Sequence, residues 1–512
     1  MSLCCAIAFT MYGYDAGVLG GVQATKPFLD AIGNPTGKYV IPMVASSYTL
    51  AAAFCSLAVM AIGMPVGRRR CIMLGDGFVI VGAIIQASSF SVPQIIVGRI
   101  ICGTGIGFIS CTVPTYMSEM SITEKQRGPE VGVQVIWLLH GIAFAYWLDF
   151  GFTRLNSQVS WRFPIGFQAF FAMISLVGMS LLPDTPRWYY AGGREEEGDA
   201  ILARLHAKTI EHPDVQAQKL QIMRAIKLEE QNENKFRYLD LIWDRSELRA
   251  GRRIRIAFLL MVFQNMMGML VYPLLNPPVL SQYLKIGVNL MVYYATVILS
   301  NIGLSSFESS LLAAVMETCF ALGTWPFPWT IEIFGRRKIM LWGAAASGLT
   351  MLIFIIMIGL PHQTKATQWT GVACVIAWMF IFGYSWNGAP WVYGPEIAPL
   401  KNRHLGGAAQ AFGEWSFSFI MVFAGGIAIE NVGWSIWIWQ LVASILVIPF
   451  IYFYCPETTG KSLEEIDLLF ATDKVRERIL ASQMWQHPEE KSGVLELEVL
   501  EQEIENSQIG KH

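Results

Sequence analysis

The chain has 512 residues, 54% of them hydrophobic and only 15% charged, with a formal net charge of −2 and a mean hydropathy of +0.43. That balance excludes a single soluble domain of this length, and the charge lacks the basic excess that a nucleic-acid partner calls for. The 9 cysteines are scattered, mostly inside apolar runs as at Cys55, Cys102 and Cys319; with no CxxC pair and no histidine cluster, neither a disulfide framework, a metal site nor a cofactor is expected.

Apolar runs of about 20 residues recur along the chain, each long enough to cross a bilayer as a helix. They do not alternate as the strands of a β-barrel would. Spans are expected near 2–21, 40–62, 71–91, 93–117, 130–150 and 161–182. A polar stretch rich in Glu, Lys, Arg and Gln follows at 183–255. Further spans are expected near 256–300 (abnormally long), 308–331, 339–360, 369–393, 407–430 and 433–454, before a Glu-rich tail at 455–512. The expected fold class is an all-α membrane protein of twelve transmembrane helices. It divides into an N-terminal six-helix bundle (1–182), a helical linker (183–255), a C-terminal six-helix bundle (256–454) and a tail (455–512). The start lacks the basic n-region of a cleavable signal peptide.

Basic residues fall in alternate loops: Arg68, Arg69 and Arg70, then Lys125 and Arg127, then Arg336, Arg337 and Lys338, then Lys401 and Arg403. By the positive-inside rule these loops, both termini and the linker face the cytoplasm.

The first span, MSLCCAIAFTMYGYDAGVLGGV, carries Asp15 between glycine-flanked apolar residues. A carboxylate at mid-bilayer costs roughly 2.5–3.5 kcal/mol on insertion scales. It is expected either to meet a buried cation for structure or to act on an ion or solute.

The chain also echoes itself. GRRRCIMLG returns as GRRKIMLWG, PTYMSEMSITEKQRG as WVYGPEIAPLKNRHLGG, and PDTPRW as PETTGKSLEEID. Three matched pairs at matching places imply two homologous halves, an arrangement that puts a solute site at their interface near the midplane.

GYDAGVLGG, GRRR, GRIICGTGIGFISCTVPTYMSEMS, RGPEVGVQ, AYWLDFGF, WRFPIGFQ, PDTPRW, EIFGRRK, WVYGPEIAPLKNR and PETTGKSLEEID run in order through nearly the whole chain. Together they resemble the sugar porter family of the major facilitator superfamily, most closely its fungal-type members. The resemblance implies two pseudo-symmetric six-helix bundles with a cytoplasmic helical domain in the linker. It also implies alternating-access transport of a sugar or polyol. The expected partners are that solute, a proton and the lipid bilayer, with no nucleic acid. The protein is expected to be a monomer in the plasma membrane.

In that family, charges at the inner helix ends form networks that hold the inner gate closed. The matching residues are Arg68, Glu119, Arg127, Asp184 and Arg187 in the first half, and Glu332, Arg336, Glu396, Arg403 and Glu457 in the second. Arginine suits the task because its planar fork pairs bidentately with carboxylates. Ordinary positive-inside anchoring is the alternative. The first half departs from the family by placing Met64 where the second has Glu332.

Asp15 and Arg99, inside GRIICGTGIG, match an Asp and Arg that face each other in proton symporters of the family. Protonating Asp15 would release Arg99; a fixed structural ion pair is the alternative. The glycines of GTGIG sit in an apolar helix, where small residues allow close helix packing.

A sugar site calls for neutral hydrogen-bonding groups and aromatic faces. Gln134, Gln168, Gln264, Asn265, Asn289 and Trp391 are the candidates, with Trp386 and Asn387 nearby. The resemblance assigns Gln134, Gln264, Asn265, Asn289 and Trp391 to solute-contacting positions; interhelical bonding is the alternative for the amides. Two departures bear on the solute. Glu414-Trp415 stands where many members have Asn-Trp, and Met316, Glu317 and Phe320 fill a region that usually holds an Asn. His140 is expected to be a satisfied packing histidine.

The seventh span is interrupted. Removing residues 269–287 joins FQNMMG to VNLMVYYATVIL, which fits the family, while the removed piece carries Pro273, Pro277, Pro278 and Lys285. Prolines cost a helix interior about 3 kcal/mol or more each. The piece is read as a spurious insert, and the N-terminus as clipped relative to the family. A proton-coupled transporter is the leading expectation. An uncoupled facilitator and a non-transporting sensor are the alternatives, and no nucleophile, metal or nucleotide motif points to an enzyme.

Overall fold

The computed structural model describes residues 1–230, 249–267, 305–432 and 437–461, apart from positions 24, 38, 122–123, 361, 363 and 399–402, with a few single residues among 292–299 and 466–470. The suspected insert 269–287 and Asn289 lie outside the described residues, as do the side chains of Arg127 and Arg403.

The described residues are almost entirely helical. The first half holds α1 (Ser2–Val22), a short α2 (Lys26–Ala31), α3 (Val40–Val66), α4 (Arg68–Ala87), α5 (Val92–Met120), α6 (Glu124–Phe152) and α7 (Val159–Ser180). Three polar helices follow: α8 (Pro186–Ala191), α9 (Glu195–His206) and α10 (Pro213–Glu230). The second half holds α11 (Ala250–Met266), α12 (Ser306–Gly323), α13 (Phe327–Phe334), α14 (Arg336–Gly359), α15 (Lys365–Ser385), α16 (Ala389–Ile397), α17 (Arg403–Val432) and α18 (Ile438–Tyr454). Among the described residues, eight helical segments are long and apolar enough to span a bilayer, or nine if the bent pair α12–α13 is one span.

Several boundaries differ from the hydropathy reading for a physical reason. The helices α4 and α14 begin on the arginines themselves. Gly67 and Gly335 precede them with φ of +94° and +87°, a region that disfavours any side chain. A carboxylate then receives the first helical N–H groups. Asp184 accepts from Arg68 and Arg69, each at 3.2 Å, and Glu457 accepts from Arg336 at 3.0 Å and Arg337 at 3.2 Å. These are the orphan donors of a helix start, where negative charge is favoured.

Two expected spans are broken. The chain bends by 45° between α12 and α13 at Thr324-Trp325-Pro326, and α15 gives way to α16 at Trp386-Asn387-Gly388. Apolar composition continues through both breaks, so hydropathy reads straight across them.

Small residues set the helix crossings. A Cβ on Gly13 would lie 1.8 Å from the Leu138 carbonyl oxygen, and one on Gly141 2.1 Å from that of Thr10, so α1 and α6 touch backbone to backbone. Gly103 meets α3 at Tyr48 and Gly105 meets α4 at Gly75 in the same manner, as the GTGIG reading expects. The halves meet where α3 packs on α17 and α6 packs on α12.

Candidate functional site

A cavity lies between the two halves, the place where paired homologous bundles put a solute site. Its two walls differ. From the first half come Phe9, Tyr12 and Ala16 on α1, and Val135, Leu138, Leu139 and Ile142 on α6. The α6 residues follow the i, i+3, i+4, i+7 spacing of one helix face, and all four are aliphatic. From the second half come Gln264 on α11, Asn387 and Trp391 at the α15–α16 break, and Glu414, Trp415 and Ser418 on α17, together with Val292 and Phe320.

The expected solute residues divide accordingly. Gln264, Trp391 and Glu414 line the cavity. The Gln264 Oε1 atom is buried without a hydrogen-bond partner among the described residues. Asn265 instead faces α17: its Nδ2 donates to Glu414 Oε2 at 2.7 Å, and its Oδ1 accepts from Ser418 Oγ at 3.0 Å. Gln134 is buried beside the lining face of α6 but is not part of it, because the next residue, Val135, takes that place. Gln168 is buried on α7, away from the cavity lining. Trp386 is also taken up by structure, its indole N–H donating to the Met340 carbonyl at 3.0 Å. Asn289 falls outside the described residues.

Asp15 and Arg99 meet. Arg99 Nη1 donates to Asp15 Oδ1 at 3.0 Å, with neither side chain exposed. Arg99 Nη2 donates to the Ala45 carbonyl at 3.3 Å, and the guanidinium lies 4.4 Å from the Tyr48 ring centre. The second carboxylate oxygen of Asp15 has no partner among the described residues. Tyr48 packs edge-on to Trp415 with ring centres 5.8 Å apart, and Trp415 packs on Tyr12 at 5.2 Å. Aromatic contacts therefore run from the buried ion pair to the cavity wall.

The charges at the Gly-Arg-Arg end form one cluster in each half, the second with one more carboxylate on its arginine. Arg68 Nη2 pairs with Glu119 at 2.7 Å, while Glu119 also accepts from Thr185 Oγ1 at 2.7 Å. Arg336 forks onto Glu396 at 2.7 and 3.1 Å and onto Glu332 at 2.6 and 2.9 Å, while Glu396 also accepts from Thr458 Oγ1 at 2.9 Å. Tyr116 donates to the Pro183 carbonyl and Tyr393 to that of Pro456, both at 2.8 Å. Burial pushes the Asp184 carboxyl upward, opposed by backbone N–H donors and the Arg68 charge. Each of these ion pairs lies within one half. Arg187 sits on α8 beside the first cluster.

The His140 expectation holds. Its Nδ1 lies 2.8 Å from the Ile136 carbonyl, which the ring N–H satisfies, and its Nε2 accepts from the Trp325 indole at 3.2 Å. Two buried acids escaped the sequence reading. Asp76 on α4 accepts from Ser175 Oγ on α7 at 2.9 Å, and Asp149 on α6 packs against Gly21 of α1. The signal that flagged Asp15, a carboxylate inside an apolar run, was present for both. Glu317 is fully buried on α12, with neither carboxylate oxygen partnered among the described residues.

The family described as "Sugar (and other) transporter" matches residues 1–286 and 279–470. The chain is 32% identical to the MFS-type transporter oryC of Aspergillus oryzae over 474 residues, covering 91% of this chain and 84% of that one. It is 31% identical to the sugar transporter STL1 of Saccharomyces cerevisiae over 480 residues, covering 90% and 79%. Among solved structures it resembles the proton:xylose symporter XylE bound to 6-bromo-6-deoxy-D-glucose, with a TM-score of 0.75 at 18% identity, over 92% of this chain and 98% of that one.

Proposed function

The chain belongs to the sugar porter family of the major facilitator superfamily, and on that premise we propose that it carries a small hydroxylated solute across the membrane by alternating access, together with a proton. It is a multi-pass membrane transporter and not an enzyme. The solute occupies the cavity between the halves, with Gln264, Trp391 and Glu414 as its first contacts. The observation that carries the coupling is the run of contacts from Asp15 through Arg99, Tyr48 and Trp415 to the cavity wall.

An ionised Asp15 needs the Arg99 cation, because an unpaired buried charge is expensive. A proton on Asp15 removes that need and frees Arg99 to shift against Tyr48. The neighbour of Tyr48, Trp415, is then displaced at the cavity. The two charge clusters belong to the cytoplasmic gate, each bracing its own half while one half rocks against the other. The Gly-Arg-Arg end faces the cytoplasm, supported by its concentration of basic residues, and the plasma membrane is the site of action. The bundles span 1–182 and 256–454, with 183–255 as linker and 455–512 as tail. Residues 269–287 read as an insert in the sequence of the seventh span, a reading supported by the family match, which breaks into two segments that overlap within that stretch.

The test is uptake of labelled sugars and polyols by transporter-deficient cells expressing this chain. Accumulation that collapses with a protonophore and falls as external pH rises supports proton symport. Uptake indifferent to both overturns the coupling and leaves a facilitator.

A further inference from the structure

The two walls of the cavity are chemically unlike, and this asymmetry narrows the solute class beyond the transport reading on which it rests. On the α6 side, Val135, Leu138, Leu139 and Ile142 offer no hydrogen-bonding group. On the opposite side stands Glu414, 8% exposed, on the cavity wall. Its partners among the described residues are both neutral. Asn265 Nδ2 donates to Oε2 at 2.7 Å, and Ser418 Oγ lies 3.4 Å from Oε1. Ser418 has the shorter bond to Asn265 Oδ1, 3.0 Å. A hydroxyl has one hydrogen to give, so the 3.4 Å contact is the weaker of the two and leaves Oε1 with capacity to accept.

We propose that this cavity selects a small solute with hydrogen-bond donors on one side and an apolar surface on the other, and that Glu414 reads the donor side. A carboxyl group on this wall rewards cargo hydroxyls or amines that hydrogen-bond to it. The aliphatic α6 face gives no partner to a hydroxyl placed against it, so each hydroxyl there is buried unsatisfied. A solute hydroxylated all round is disfavoured against its deoxy counterpart, by up to about 100-fold for one hydroxyl. The preferred class is therefore deoxy sugars and short polyols with an alkyl edge.

The experiment compares matched pairs in the purified full-length transporter: D-glucose with 6-deoxy-D-glucose, and glycerol with propane-1,2-diol. Binding is read by thermal-shift titration and transport by counterflow in proteoliposomes. The deoxy member of at least one pair is expected to bind tenfold tighter or more. Leu139→Asn is expected to narrow that ratio toward one, and Glu414→Gln to weaken the preferred solute at least tenfold. Equal or tighter binding of the fully hydroxylated member in both pairs overturns the inference while leaving sugar transport standing. If a monodisperse wild-type preparation binds and exchanges no member of either pair while the cells take up another sugar or polyol, this inference fails and the transport reading stands; if they take up none, both fail. The wild-type ratio alone decides, so a variant that fails to fold does not rescue the idea.

Discussion

Arg99 on α5 donates to Asp15 on α1 at 3.0 Å, and neither side chain touches solvent. Such a pair contributes less than its charges suggest, because both were taken out of water, but breaking it by removing one partner costs about 3–5 kcal/mol. Asp15→Asn keeps the shape and strands the Arg99 charge, so it is expected to lower thermal stability markedly. The charge-neutral double variant Asp15→Asn with Arg99→Gln is expected to recover most of that loss. Neither variant is expected to accumulate solute uphill, whereas counterflow exchange persists. One proton moving down 100 mV supplies about 2.3 kcal/mol, roughly a 50-fold gradient, so the lost accumulation is large enough to read directly. Uphill accumulation in the double variant would remove Asp15 from the proton path.

Tyr48 tests the link between the ion pair and the cavity. Its ring lies against both the Arg99 guanidinium and the Trp415 indole. Tyr48→Leu keeps an apolar side chain but removes both aromatic contacts, each worth about 0.5–2 kcal/mol. Accumulation is expected to fall more than counterflow. An equal fall in both would mean that Tyr48 serves packing alone.

The charge clusters give a ranking. Arg336 is nearly buried and forks onto two carboxylates, of which Glu332 is 40% and Glu396 23% exposed. Truncating the more exposed Glu332 to Ala is expected to cost about 1 kcal/mol or less. Truncating Glu396, which also holds Thr458, is expected to cost more, and Arg336→Lys loses the bidentate geometry on both partners. The readout is thermal stability at low and high salt. A Glu332 variant as damaging as the Glu396 variant would contradict the ranking.

The α1–α6 crossing makes a steric prediction. A methyl on Gly13 would collide with the Leu138 carbonyl oxygen at 1.8 Å, whereas one on Gly77 meets nothing within 4 Å. Overpacking typically costs 1–3 kcal/mol, and here the obstacle is backbone, which yields least. Gly13→Ala is expected to reduce folded, monodisperse yield, while Gly77→Ala leaves it unchanged. Equal behaviour of the two would remove the close approach as the reason for Gly13.

Much of this is legible in the residues, and the misses have more than one cause. Hydropathy marks the helices, the echoed motifs mark the two charge clusters, and the family resemblance pairs Asp15 with Arg99, as the structure does. Orientation about each helix axis was harder to read. A membrane helix is apolar on most sides, so periodicity does not mark the face that looks into a cavity. Gln134 has the chemistry of a sugar contact, yet Val135 takes the lining place. Asn265 has it too and spends its amide on Glu414 and Ser418. Tyr48 carried no signal, because contact with a cation on another helix leaves no mark in the spacing. Asp76 and Asp149 did carry one, a carboxylate in an apolar run.

The last prediction concerns residues 269–287. The family match is split, its segments overlapping at 279–286, and the stretch brings Pro273, Pro277, Pro278 and Lys285 between Gln264 and the VNLMVYYATVIL segment. Gln264 lines the cavity from α11, and Val292 and Tyr294, just beyond the stretch, are buried against the rest of the bundle. A span joining FQNMMG directly to VNLMVYYATVIL keeps both contributions on one helix without three prolines, each costing about 3 kcal/mol in a helix interior. The variant lacking 269–287 is therefore expected to express better and transport faster than the full chain, and transcript sequencing is expected to find those codons absent. Their presence in the mature message, together with loss of transport on deletion, would make the stretch a working part of the seventh span.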